Sequence, residues 1–378
     1  MKIVIAPDSF KESLSALEAA NAIERGFKSI FPHAQYKKLP MADGGEGTVQ
    51  SLADATDGRI IECTVTGPLG EPVQSFFGLM GDGKTAVIEM AAASGLHLVP
   101  PEKRNPLLTS TRGTGELITA AVDTGVQHII IGIGGSATND AGAGMIQALG
   151  GKLYDKTGRD IGPGGGALAE LSAIDMSNLD PRLRDVHIEV ACDVDNPLTG
   201  PRGASAIFGP QKGATPEMVQ LLDRNLGHFA DIVEHALGKP FRDIKGAGAA
   251  GGIGGSLLAF LNADLKRGID IVLDAVNFEE EVKGADLVIT GEGRIDSQTI
   301  YGKTPIGVAK AAKKHGIPVI GLAGSLSNDS QIVHEHGIDA LFSIVPGVIT
   351  LPDAFEKAAF YMERTARNIA AIMKMNRI

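Results

Sequence analysis

The feature that most constrains this chain is a repeated order of pattern near both ends. A short apolar, β-branched run closes on a Gly/Asp-rich turn, gives way to helical spacing, and the cycle begins again. Lys2–Ala6 reads as a strand, followed over residues 13–30 by apolar positions at helical spacing (Leu14, Leu17, Ala20, Ile23, Phe27), with Ser13 or Ser15 placed to cap. Tyr36–Leu39 is a second strand and Gly47–Ala55 a second helix. The rhythm returns with strands at Ala285–Thr290, Pro318–Ala323 and Ala340–Ile344, and helices at Pro305–His315, Gln331–Glu335 and Pro352–Met373. Strands alternating with helices in this way predict an α/β fold: a flavodoxin-like, doubly wound parallel sheet. The sheet is discontinuous, because residues 1–58 and 285–378 belong to one domain.

Residues 59–284 break that rhythm and predict an inserted second α/β domain. Ile60–Thr66, Val73–Met80 and Lys84–Met90 are strands separated by the turns GPLGEP and GDG, hence antiparallel neighbours. A helix at Gly115–Thr124, strands at His128–Ile131 and Val186–Cys192, and helices near 215–237 and 254–263 complete it. A chain of 378 residues has enough length for two domains that each bury a core.

Composition narrows the partners. Net charge is −10 with no long Lys/Arg block, which argues against a nucleic-acid surface. No apolar run reaches membrane-spanning length, and Lys2 leads straight into a strand without a signal-peptide pattern. Two cysteines, Cys63 and Cys192, make neither a disulfide framework nor a zinc site, so a cytoplasmic protein is expected. Glycine stands out: 49 of 378 residues is about 13%, against roughly 7% usually. The glycines gather in separate loops after apolar runs, as backbone-lined ligand contacts require.

The most informative of these loops is residues 128–150, HIIIGIGGSATNDAGAGMIQALGG. It reads as strand, glycine turn and helix start, where free N–H groups and the helix dipole favour an anion. A tight turn with Asn139 or Asp140 as N-cap fits the same residues. The loop is neither a Walker A sequence nor a GxGxxG in its usual frame. In an open parallel sheet, ligands bind beyond the carboxyl ends of the strands. Those ends carry Asp8-Ser9-Phe10-Lys11, then Asp43-Gly44-Gly45-Glu46, and Glu292-Gly293-Arg294-Ile295-Asp296 with Lys303 behind. Capping needs one small polar residue per turn, so cations with several carboxylates on one edge predict a functional rim. The inserted segment adds Asp193 and Asp195 after a strand, Lys212 between glycines, GAGAAGG at 246–252, and Glu89, whose simplest role is pairing with Arg112. These are the ingredients of phosphoryl transfer.

The motifs PDSFKESLSA, MADGGEGT, GIGGSATNDAGAG, CDVDNP, FGPQKGA, GAGAAGG and TGEGRIDSQT…GK, in that order over about residues 1–375, resemble the bacterial glycerate kinases of the first type. The resemblance implies ATP- and Mg²⁺-dependent phosphorylation of D-glycerate, most often on the 2-hydroxyl, in a cleft between the two domains. It implies small-molecule partners, without nucleic acid or membrane, and allows a homo-oligomer. On it, Gly134, Gly135, Ser136 and Thr138 with Lys212 are expected to hold ATP phosphates. Arg294 and Lys11 are expected to take the glycerate carboxylate, with Asp8, Ser9, Asp43 and Glu46 lining the substrate. Asp193 and Asp296 lead as general base and metal support, with Asp195 a further metal candidate. Phosphorylation of the 3-hydroxyl, and a two-domain anion or nucleotide sensor without chemistry, are the alternatives. A dehydrogenase is disfavoured because the first strand ends in PDSFK rather than GxGxxG.

Overall fold

The computed structural model describes residues 1–375, so 376–378, the end of the expected 285–378 segment, lie outside the described residues. Its strands are β1 (Lys2–Pro7), β2 (Gln35–Lys38), β3 (Arg59–Thr66), β4 (Pro72–Leu79), β5 (Thr85–Glu89), β6 (His128–Gly132), β7 (Lys152–Tyr154), β8 (Ala173–Asp175), β9 (His187–Ala191), β10 (Asp264–Lys266), β11 (Leu287–Ile295), β12 (Val319–Leu326) and β13 (Ala340–Ser343). They fall into two compact units: residues 1–43, 50–57 and 269 onward, and residues 44–49 and 58–268.

In the first unit the sheet order is β13-β12-β11-β1-β2, and every pairing is parallel. Counted along the unit's own strands, this is the flavodoxin-like order 2-1-3-4-5, whose direction reverses between β1 and β11. Alternation along β1 explains why helices cover both faces: Ile3 and Ile5 point to one side, Val4 and Ala6 to the other, and all four are buried. Ile3, Ile5, Leu287 and Ile289 pack with the helices Ala16–Lys28 and Ala358–Met375. Those two helices cross tightly at Gly26, where an added Cβ would stand 2.4 Å from the Glu363 carbonyl oxygen. Ser15, not Ser13, is the N-cap, in a capping box with Glu18. The expected terminal helix is two helices, Leu351–Glu356 and Ala358–Met375.

The second unit holds a mixed sheet of order β10-β9-β6-β5-β4-β3. The expected antiparallel neighbours β3, β4 and β5 are present, and β5, β6, β9 and β10 then run parallel. The register Glu89↔Gly132↔Ala191 brings three strand ends level, so the loops that follow them share one rim. The small antiparallel pair β7–β8 and the short β10 escape sequence reading, since three-residue strands carry almost no periodicity.

The unit boundaries differ from junctions at 58/59 and 284/285. Residues 269–284 pack in the first unit: Ile269 fills the space beside Gly307, and Glu281 pairs with Lys37 at 2.7 Å. Residues 44–49 go with the second unit, because Gly44 lies against Ala191 and Gly132, and Glu89 accepts from the Val49 N–H at 2.9 Å.

Candidate active site

In the first unit, the switch point between β1 and β11 gathers carboxylates. Asp8 follows β1, and its N–H donates to the Gly291 carbonyl at 2.8 Å, which fixes it beside β11. β11 can approach β12 closely here only because Gly291 lacks a Cβ, which would stand 2.2 Å from the Leu322 carbonyl oxygen. The next residue, Glu292, is thereby placed at the same strand end as Asp8. The Thr304 hydroxyl donates to Asp8 Oδ2 at 2.6 Å, and the Thr299 hydroxyl donates to Glu292 Oε1 at 2.8 Å. Lys303 Nζ stands 3.5 Å from Glu292 Oε2.

Burial dominates the electrostatics of this cluster. It pushes the Asp8 carboxyl up to about 6, with Asp43 raising it further against the Thr304 hydrogen bond. It pushes Glu292 up to about 7, with Asp8 adding to the rise and Lys303 and Thr299 opposing it. Asp8, Asp43 and Glu292 thus form an electrostatically coupled set, with the Lys303 ammonium beside Glu292. The set has two groups whose proton affinity lies near neutral pH, and its carboxylate oxygens are of the kind a hard divalent cation takes. Ser9 donates its N–H to Asp8 Oδ1 at 2.6 Å, and so orients that carboxylate.

The other rim residues are arranged differently. Lys11 is exposed and borders a cavity of about 490 Å³ that Phe10, Leu326, Val345 and Phe355 also line. Arg294 is 67% exposed, with Nε 3.2 Å from Asp296 Oδ2. Asp296 also accepts from the Gln298 N–H at 2.9 Å, so its carboxylate shapes the turn into the segment 299–301. Glu292 and Lys303 therefore hold the positions at the heart of this rim. The signal that could have found Glu292 is its place one residue past a glycine at the end of a buried strand.

In the second unit, the glycine loop after β6 departs from the expected anion seat. The helix it leads to spans only Ala143–Ala148, with Gly142 at the N-cap position, and the acceptor for its first N–H groups is Asp140, which takes those of Gly142 at 3.2 Å and Gly144 at 3.3 Å. Asp140 turns inward and is fully buried, accepting also from the Thr111 N–H at 2.9 Å and the Thr111 hydroxyl at 2.8 Å. The protein's own carboxylate thus occupies the helix start that an external phosphate would need. Burial raises the Asp140 carboxyl above its ordinary range.

Lys212 is also inward. The residue is 2% exposed, and its ammonium donates to the Ser136 hydroxyl at 2.7 Å and to the Thr138 carbonyl at 2.6 Å. Burial pushes it down to about 7. Ser136 and Thr138 are themselves buried, and the Thr138 hydroxyl has no hydrogen-bond partner among the described residues. The GAGAAGG stretch supports this loop from behind: a Cβ on Gly251 would stand 2.1 Å from the Thr138 carbonyl oxygen. Gly134 and Gly135 alone of the expected phosphate ligands are exposed.

Beside them on this rim, Asp193 is exposed and Oδ1 accepts from the Gly268 N–H at 3.1 Å. Asp195 pairs with Arg202 at 2.9 Å, which spends its charge on a cation of the chain. Glu46 is exposed, and its charge adds to the burial that raises Glu89. Glu89 does not pair with Arg112, which pairs with Glu116 at 3.1 Å; it caps the turn at 47–49.

Comparison with known proteins joins this geometry to a family. The glycerate kinase family model matches residues 3–374. A glycerate kinase of Bacillus subtilis (strain 168) is 75% identical over 375 residues, which cover 99% of this chain and 98% of that protein. A protein of Escherichia coli (strain K12) named glycerate 2-kinase is 61% identical over 373 residues, covering 99% and 98%. A crystal structure from Salmonella typhimurium LT2, provisionally assigned as glycerate kinase 2, matches with a TM-score of 0.93 at 59% identity, covering 100% of this chain and 99% of that one.

Proposed function

The chain belongs to the glycerate kinase family, and from that premise we propose that it transfers the γ-phosphoryl group of ATP to the 2-hydroxyl of D-glycerate. The observation that carries the chemistry is the coupled set Asp8, Asp43 and Glu292 at the switch point, beside Lys303. An alcohol becomes a nucleophile toward phosphorus when a base takes its proton as the new bond forms. Glu292 has a proton affinity near neutral pH, and Thr299 holds one of its oxygens; it is the base in this reading. Asp8 and Asp43 offer oxygens of the kind a hard divalent cation takes, and Mg²⁺ held there would supply charge neutralisation for the transferring phosphoryl group.

The remaining groups serve recognition. Arg294 is exposed, and its guanidinium can exchange Asp296 for the glycerate carboxylate with bidentate geometry, while Lys11 adds charge. In the second unit, the exposed Gly134 and Gly135 allow close backbone approach to phosphate oxygens. Ser136, Thr138 and Lys212 hold that loop in shape from within. Asp193, exposed on the same rim, is assigned to the metal-bound phosphates, and Asp195 is left to its arginine. The choice of the 2-hydroxyl follows the Escherichia coli relative's designation as a 2-kinase.

The test is ADP release with D-glycerate and Mg²⁺ in a coupled assay, with the product read by ³¹P NMR. The expected product is 2-phosphoglycerate. A 3-phosphoglycerate resonance would overturn the regiochemistry, and D-glycerate-independent or absent ADP release would overturn the reaction.

A further inference from the structure

The amino-terminal edge of the second unit's sheet, at the end opposite the glycine loop, carries side chains that phosphoryl transfer does not use. β6 and β9 both begin with histidine, and the parallel register sets His128 directly beside His187. Paired residues of neighbouring strands share a face, and so do residues two apart on one strand. Glu189 therefore stands on the same face as both histidines. Their imidazole rings stack at 5.1 Å between centroids, and the ligand-capable atoms of all three residues lie within 4.8 Å of one another.

We propose that His128, His187 and Glu189 form a binding site for one borderline divalent transition metal, with Zn²⁺ as the best match. Two imidazole nitrogens and one carboxylate are a recurrent three-ligand set for Zn²⁺, leaving a fourth position for water. His128 Nε2 is buried and stands 2.8 Å from Glu189 Oε2, so an imidazole nitrogen and a carboxylate oxygen, two of the ligand types Zn²⁺ takes, already meet below the surface. His187 is 54% exposed on its outer side, so its nitrogen, 4.0 Å from Glu189 Oε1, can turn toward the other two ligand atoms. Asp264 Oδ2 lies 3.9 Å from His187 Nε2 and places a further carboxylate at the edge. Strand pairing sets the spacing of the two imidazoles, so binding needs side-chain rotation alone.

Lys266 is the competing cation. Its ammonium now contacts Glu189 Oε1, and at 44% exposed it can swing into solvent when a metal arrives. A network evolved only for this ion pair would lose affinity for nothing when Lys266 is removed; a metal site would gain.

The experiment is isothermal titration of the metal-stripped full chain with ZnCl₂ at neutral pH, with elemental analysis after dialysis. One Zn²⁺ per chain is expected. His187→Ala should weaken binding at least about tenfold. Lys266→Gln should tighten it severalfold, since a like charge beside the site is gone. His315→Ala, in the other unit, should leave it unchanged. Circular dichroism without metal checks that each variant folds. Absence of stoichiometric uptake by the folded parent, or equal affinity in the parent, His187→Ala and Lys266→Gln, overturns the site.

Discussion

In the proposed reaction, Glu292 would serve catalysis at the expense of the fold. Burial and the neighbouring Asp8 raise its carboxyl from 4.5 to about 7, so ionising it in place is unfavourable. The folded state therefore binds a proton that the unfolded chain has already released between those two values. Stability from this group is fully present below the unfolded pKa and is lost as pH rises through the folded one. The loss is on the order of 3 kcal/mol by pH 8. Glu292→Gln removes the titration, so the melting temperature at pH 8 should rise above the parent's, while at pH 4.5 the two should nearly agree. The same variant should lose turnover by about a hundredfold or more, as expected for a missing base. Parallel thermal melts and steady-state assays check both halves. A variant less stable than the parent at pH 8, or one with near-normal turnover, contradicts the assignment. Asp8, raised to about 6, gives a companion prediction for activity: kcat/KM should fall with decreasing pH below about 7, on an acidic limb that Glu292→Gln shifts or abolishes.

The element that sequence reading described best and least well is the same one. Strand, glycine turn and helix after His128 were legible, because β-branched alternation, glycines and helical spacing are local signals. Asp140 was legible as a candidate cap, and it does take the Gly142 and Gly144 N–H groups; its full burial was not legible, because that depends on Thr111, 29 residues away. Lys212 is a similar case: a lysine between glycines looks like a phosphate ligand, and only packing over 74 residues turns it inward to the Thr138 carbonyl. Glu292 was visible as a member of its turn, but its raised proton affinity comes from burial that no local pattern encodes. Two element-scale outcomes follow. Asp140→Ala leaves the Thr111 N–H and the Gly144 N–H without their acceptor in a fully buried place, and should destabilise the second unit by about 3 kcal/mol or more in urea titration. Gly251→Ala forces a Cβ to within 2.1 Å of the Thr138 carbonyl oxygen at φ +72°, so it should displace the loop and weaken ATP binding. Gly284→Ala, at φ +70° with nothing near its Cβ, should cost only about 1 kcal/mol and leave binding intact. Equal effects of the two glycine variants on nucleotide affinity would remove the loop from the binding surface.

At the scale of the molecule, the discontinuity of the first unit sets an order of events. β1 pairs with β11 through Ile3↔Leu287, a separation of 284 residues, whereas β5 pairs with β6 through Thr85↔His128, a separation of 43. Closing the longer loop in an unfolded chain costs about 2 kcal/mol more, by the logarithmic dependence of closure entropy on length. The second unit has its own core, with Ile88, Ile129, Ile131 and Val190 buried, so it can gain contacts before the ends of the chain meet. Once folded it spans far less distance than an unfolded segment of the same length, and that shortens the search by which β1 finds β11. Pairing β1 with β2, across about 33 residues, does not remove this requirement, because two strands without β11 leave both edges open and bury little. Pulse-labelled hydrogen exchange during refolding should therefore protect the amides of β6 and β9 before those of β1 and β11. Protection of β1 at the same time as β6 or earlier would mean that the first unit assembles without help from the insertion. On the proposed order Ile289→Ala, which empties a fully buried site in β11, should slow protection of β1 and β11 and leave that of β6 and β9 unchanged; slowing of both units alike would mean that they form together.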